Sequence, residues 1–396
     1  MGLESVVGRS TPGSLSVEPV FEQSSMPVVA ENDFYESFLS AFSREPLFLP
    51  EFLPLSLAVA PSSDVLNVPP LLSTESSGVA VPPRVSSVTA ANSNAAQFEA
   101  DVQNAYGVSS DEISQFTRAE FDRQLTEINA LAQRIRPGAQ HWTDALASLE
   151  QTRLQTPEQV MANFQQTVER TQTYLVENGL ISPLRLPVVV EEDPTHVGSG
   201  AYALASKIVV ETNNPDSDVY LPIFAPFAAL HELVHVWDYQ YNQFAENPHT
   251  EGAAFFLESY VLENGNFYSP EEELMGRKWQ LLRQARAFLS VELQTGRMTP
   301  EEARLFLTEN LNHDERYAAA EVQGMINDPI QKMSYAVGAA QIDQLWEQVQ
   351  QTYPEISFRA FMDYLVAVGS DDTGNIVDYA RERYGITLQG LSSTAD

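Results

Sequence analysis

Residues 227–237 read Phe227-Ala228-Ala229-Leu230-His231-Glu232-Leu233-Val234-His235-Val236-Trp237. His231 and His235 are four apart, so on a helix their imidazoles stack one turn apart on one face. Two imidazoles so placed can bind one tetrahedral zinc ion. Glu232 lies about 100° round the helix, where its carboxylate can reach the water that such an ion activates. The flanking residues are apolar on every side, which predicts a buried helix. A buried helix carries two His and a Glu only for a reason, and a metal is the usual one.

A catalytic zinc site takes three protein ligands. The next helical stretch, Glu251-Gly252-Ala253-Ala254-Phe255-Phe256-Leu257-Glu258, offers two carboxylates seven apart, hence on one face. Fifteen residues separate His235 from Glu251, enough for a loop and an antiparallel return. Gly252, Ala253 and Ala254 are small, which lets this helix approach the His helix. Glu251 is therefore the expected third ligand. Glu258 is the expected partner of a ligand histidine's other ring nitrogen. Of the other histidines, His249 and His196 could line a cleft but read more simply as surface residues; His141 reads as structural.

Outward from this core the pattern is mainly α-helical. Residues 98 onward carry apolar positions at helical spacing, clearest over Asp111 to Ile135. Thr156-Pro157-Glu158-Gln159, Ser269-Pro270-Glu271-Glu272 and Thr299-Pro300-Glu301-Glu302 each read as a capping box with Pro at the first helical position. Gly179, Gly265, Gly296 and Gly369 stand where helices should end. Between 186 and 221 the pattern changes. Leu186 to Val190 and Lys207 to Thr212 are short and β-branched, predicting a small sheet of two to four strands just before the His helix. Residues 1–95 are rich in Ser, Pro and Val without sustained periodicity, and read as a disordered or loosely attached arm. The body is then one domain over 96–396.

Composition narrows the partners. The chain has 396 residues, 54 acidic and 22 basic, for a net charge of −32, and only three lysines. Such a surface disfavours nucleic acid and anionic membranes. It would suit basic substrates or a salty milieu, or simply serve solubility. No cysteine is present, which removes disulfides and thiolate chemistry. The apolar stretch Leu47 to Ala60 contains Pro50, Glu51 and Pro54 and is too short to span a bilayer. Without a basic region followed by an apolar one at the start, the expected location is the cytoplasm. Oligomeric state is not legible.

From about residue 98 to 387 the chain resembles the bacterial domain-of-unknown-function 885 family, expected to be zinc peptidases of the gluzincin type. The order of segments carries the resemblance: Thr156 to Gln159, Leu186-Pro187-Val188 to Asp193-Pro194, the His-Glu helix, Glu251-Gly252 with Glu258, Leu281 to Arg286, Thr299 to Asn310, Glu315-Arg316-Tyr317, Asp328-Pro329, and Ser334 to Gly338. Two segments depart from the family. It usually reads His-Glu-x-x-Pro-Gly-His-His, where this chain has Val236-Trp237 after a plain HExxH. The family's Asp-Thr-Gly-x-His run is here Ser290 to Gln294. The resemblance implies a gluzincin-like helical body with a cleft, a peptide substrate, and Tyr335, or else Arg316 or Tyr317, as the donor to the oxyanion of a tetrahedral intermediate. Three functional readings stay open: a zinc peptidase, a zinc amide hydrolase on a non-peptide substrate, and a non-catalytic helical binding or scaffold protein.

Overall fold

The structure is a computed structural model that describes residues 86–195, 200–204, 206–242, 248–368 and 375–391. All belong to one unit, 81–396. Twelve helices and one three-stranded sheet make up the described residues, so the chain is mainly helical as read. No helix among them is long and apolar enough to cross a membrane. Residues 1–85 of the expected arm lie outside the described residues, as does Gly369. Helix α1 spans Ser86–Tyr106 and so begins within the last ten residues of that arm. Phe98, Val102 and Tyr106 recur every fourth position and are buried. Their stripe holds the helix down, and the Tyr106 hydroxyl donates to the Ile330 carbonyl at 2.6 Å.

Helix α2 (Ser110–Ile135) is capped by Ser109, whose side chain accepts from the Glu112 amide. Its buried stripe runs Ile113, Thr117, Phe121, Gln124, Ile128 and Leu131, the spacing of one helical face. Helices α3 (Trp142–Leu149) and α4 (Pro157–Glu177) follow. His141 caps α3 with its side chain, the structural role expected of it. The Thr156 box is half formed. Thr156 accepts from the Gln159 amide, but the Gln159 side chain accepts from Gln155 one residue earlier. Both Glu-containing boxes, at Ser269 and Thr299, close fully.

The sheet comprises β1 (Val189–Asp193), β2 (Ala201–Leu204) and β3 (Lys207–Glu211), in order β1-β3-β2. β1 runs parallel to β3, and β2 antiparallel to it. β1 starts later than Leu186, because Pro187 has no N–H to give to a ladder. The Leu186 amide instead bonds the Gln240 side chain at 3.0 Å.

Helices α5 (Phe224–Asn242), α6 (Pro248–Asn264), α7 (Pro270–Gln294), α8 (Pro300–Leu311), α9 (Glu315–Asn327), α10 (Pro329–Thr352), α11 (Phe358–Val368) and α12 (Ile376–Tyr384) complete the body. α7 is buried on nearly all sides from Leu274 to Val291, which marks the central helix of a bundle. It packs on α2, α5, α9 and α10. Three cations ride inside it, and each finds an acid: Lys278 with Asp218, Arg283 with Glu258, Arg286 with Glu321.

α6 and α10 touch through backbone. A Cβ placed on Gly252 would stand 2.8 Å from the Gly338 Cα and carbonyl carbon. Gly252 thus opens the way for α10, whereas the sequence suggested it as clearance for the His helix, on which α6 also packs. The approach matters because Glu251 precedes Gly252 and Tyr335 lies one turn before Gly338. Gly252→Ala should lower stability by about 1–3 kcal/mol, since rigid backbone must move aside. Gly276→Ala, whose Cβ would make ordinary contacts with the Leu262 methyls at 3.4 and 3.5 Å and the Phe227 ring at 3.7 Å, should be neutral or better. Urea unfolding of both variants checks the contrast.

Candidate metal centre

α5 presents Phe224, Phe227, Ala228, His231, His235 and Asp238 to a cleft of about 620 Å³. These positions follow helical spacing along one face. The opposite face, Leu230, Leu233, Val234, Val236 and Trp237, is fully buried. α6 brings Thr250 and Glu251, α7 brings Trp279, Arg283 and Arg286, and α10 brings Ile330, Gln331, Ser334 and Tyr335. The edge strand β2 supplies a further wall through Ala201, Tyr202 and Ala203.

Within this cleft His231, His235 and Glu251 form a group able to hold a metal ion. The His231 and His235 Nε2 atoms are 3.1 Å apart, and Glu251 Oε2 lies 3.2 Å from the first and 3.3 Å from the second. Three ligands held about 2.0–2.1 Å from a tetrahedral ion stand about 3.3 Å from one another. The triangle therefore has the right size. Its tautomers fit too. His231 Nδ1 donates to Glu258 Oε1 at 2.5 Å, which turns the Nε2 lone pair inward. The Tyr335 hydroxyl donates to Glu251 Oε1 at 2.9 Å. That leaves Oε2, buried and without a hydrogen bond of its own, facing both imidazoles. Convergent lone pairs repel unless a cation or a proton stands between them.

The charges around the triangle respond to it. Without an ion the His231 imidazolium pKa is pushed up to about 9: burial and Arg283 oppose the charge, and Glu258 and Glu251 outweigh them. Burial would raise the Glu251 pKa, but His235 and His231 hold it well below the usual carboxylate range. Glu232 moves the other way. Burial pushes its pKa up against the pull of both histidines. Its side chain lines the cleft and makes no hydrogen bond or ion pair with a described residue.

Behind the triangle Glu258 is fully buried. Arg283 donates to its second oxygen, and the guanidinium packs between the rings of Phe227 and Phe255 at 4.9 and 5.0 Å. Glu258 thus occupies the place read for it from spacing.

The other candidates separate. Tyr335 is in the cleft, its ring stacked on His231 at 6.1 Å. Its hydroxyl is engaged with Glu251 and accepts from Gln331 at 3.2 Å. Arg316 is exposed in the first turn of α9 and does not line the cleft. Tyr317 packs beside the His313 ring at 4.6 Å, also outside the cleft lining. His313 is held neutral, its pKa lowered to about 4 by burial and by Lys278. His196 and the side chain of His249 lie outside the described residues. Sequence reading missed Arg283 and Arg286 as cleft residues. Their signal was present: two arginines three apart, flanked on every side by Leu281, Leu282, Ala285, Ala287 and Phe288. Charges in such a run must be buried and paired.

Two solved structures share the fold. A candidate lipoprotein from Colwellia psychrerythraea superposes with a TM-score of 0.63 at 15% identity, over 73% of this chain and 55% of that one. A candidate lipoprotein of unknown function from Shewanella oneidensis gives 0.60 at 18% identity, over 74% and 59%. The chain thus spans somewhat more than half the length of each. Among curated proteins, none matches the sequence. The stretch that carries His231, His235, Glu251, Arg283, Arg286 and Tyr335 is also the stretch that a family model recognises: residues 227–370 match the model of the family described as "Bacterial protein of unknown function (DUF885)", the one the chain's motifs resemble.

Proposed function

We propose that this chain is a zinc-dependent hydrolase that cleaves peptide bonds. His231, His235 and Glu251 hold the metal and Glu232 is the general base. One observation carries the reading: two imidazole nitrogens and a buried carboxylate oxygen meet within 3.3 Å, beside a buried carboxylate with no hydrogen-bond or ion-pair partner among the described residues. Two nitrogens and one oxygen suit zinc better than calcium or magnesium, which prefer oxygen throughout.

When bound, zinc supplies a Lewis acid that polarises a carbonyl and acidifies water. Glu232, its proton affinity raised by burial, accepts the proton of the attacking water and delivers it to the leaving amine. Glu258 and Arg283 fix the tautomer and angle of His231. Tyr335 and Gln331 orient Glu251, so the tyrosine acts first as a positioning residue; donating to an oxyanion would require it to leave the carboxylate. Phe224, Phe227 and Trp279 give the cleft an apolar side, and a substrate lying along β2 would pass the three ligands.

A scaffold with a structural zinc would use four protein ligands, whereas the group among the described residues has three. The purified chain should contain about one zinc per molecule by elemental analysis, as expected for one three-ligand site. Digestion of a peptide library should stop on chelation and return with zinc. Retained zinc with no peptide cut would leave the non-peptide amide hydrolase; failure to hold zinc would end the whole reading.

A further inference from the structure

Arg286 lies on α7 one turn beyond Arg283, is only 6% exposed, and lines the cleft. Its Nε and Nη2 donate to the two oxygens of Glu321, each at 2.7 Å. This pairing occupies one edge of the guanidinium fork. Among the described residues the remaining nitrogen, Nη1, has no hydrogen-bond partner. Glu321 thus grips the guanidinium from behind and leaves a rigid, charged donor on the cleft side.

A second cation stands beside this pair. Lys332 of α10 is close enough to Arg286 and Glu321 for both to act on its charge, and burial together with Arg286 lowers its pKa. It makes no hydrogen bond or ion pair with a described residue. The other two lysines are paired, Lys207 with Glu191 and Lys278 with Asp218. Asp328 is also nearby, but it caps α10 by accepting from the Gln331 amide at 3.1 Å. Lys332 is half-buried and outside the cleft lining, with Glu321, Glu251 and Asp328 all acting on its charge, so it reinforces the potential at Arg286 while the open edge of the Arg286 guanidinium is the group placed to meet an anion.

Tyr335 links this place to the metal triangle. Arg286 Cζ lies 5.7 Å from the Tyr335 ring centroid, and that ring stacks on His231. One aromatic ring therefore separates the cation from the nearest ligand. Arg286 Cζ thus lies within about 12 Å of the His231 ring, a reach that one to three extended residues beyond a scissile bond can span at about 3.5 Å each.

We propose that Arg286, seconded by Lys332, receives the C-terminal carboxylate of the substrate, so that the site removes one or two residues from the C-terminus of a peptide. This rests on the hydrolase reading above. Hydrolysis then adds water across the bond and releases a shortened peptide and an amino acid or dipeptide. The free carboxylate completes the guanidinium's unused edge as a charge-assisted hydrogen bond.

The test measures binding separately from turnover. Zinc-loaded Glu232→Gln protein is titrated calorimetrically with N-acetyl-alanyl-phenylalanine and N-acetyl-alanyl-leucine, each as the free acid and as the C-terminal amide. The acids should bind at least about tenfold tighter than the amides, the scale of one charge-assisted contact. In the Arg286→Met/Glu321→Met double variant, which removes the buried pair together, the preference should shrink to about twofold or less. Lys332→Met, which breaks no contact, should reduce it in part and serves should the double variant not fold. Equal binding of acid and amide to the parent, no binding of either, or a preference that survives both variants would overturn the proposal. A clear acid preference without hydrolysis of any peptide by the unsubstituted protein would instead sink the hydrolase reading and leave the carboxylate site standing.

Discussion

Glu232→Gln should reduce peptide hydrolysis by about 10²–10⁴-fold, the usual contribution of a positioned general base, with zinc content and unfolding midpoint close to those of the parent. The expectation is sharp because Glu232 has no structural duty. It makes no hydrogen bond or ion pair with a described residue, so no partner is orphaned when it changes. Gln has the same size and removes only the proton acceptor. Burial already disfavours the carboxylate charge at this position, so a neutral amide should leave stability unchanged or slightly improved. A buried charge kept without a hydrogen-bond or ion-pair partner among the described residues is a cost that folding alone does not explain, and the proposed role as general base would explain it. Zinc retained with undiminished turnover would remove Glu232 from the mechanism.

The metal triangle was legible because its logic is local. His231 and His235 are bound together by helical period, and Glu251 and Glu258 likewise, so only the meeting of two helices had to be supposed. What made that meeting possible was not legible. Gly252 looked like clearance for the His helix, and its true neighbour is Gly338, eighty-six residues on. No period connects the two. The same limit hid the partner of Arg286: the apolar run around it announces a buried charge, but Glu321 lies on another helix, thirty-five residues on. Arg316 failed to reach the cleft because it stands on the exposed face of α9. Tyr317 shares a face with Glu321, one turn on, but its ring lies against His313, outside the cleft lining. At the sheet, β-branched residues marked the strands, but Pro187 and the Leu186 contact with Gln240 moved the first one three residues along.

Glu258→Gln should do two things that can be measured apart. The first is loss of fold stability in the metal-free protein, by about 3–5 kcal/mol. Arg283 is 4% exposed, and its ion pair is with Glu258. Removing the negative charge leaves a buried guanidinium with only the His231 imidazole at 3.0 Å and the rings of Phe227, Phe255 and Tyr335 around it. The second is a fall in zinc affinity of about 10–100-fold, as when the hydrogen-bond partner of a ligand histidine is changed. A Gln amide oxygen can still accept from His231 Nδ1, but it no longer makes that imidazole a strong donor. The Arg283→Met/Glu258→Gln double variant separates the two effects. Removing the stranded cation should return much of the lost stability, while the weakened zinc affinity should persist, because the carboxylate behind His231 is still missing. Urea unfolding after chelation reads the first quantity, and competition with a chromophoric chelator reads the second. If the double variant recovered both together, Glu258 would be a structural ion-pair partner whose contact with His231 does nothing for the metal. Persistence of the affinity loss alone makes it the residue through which the bundle core sets the strength of the site.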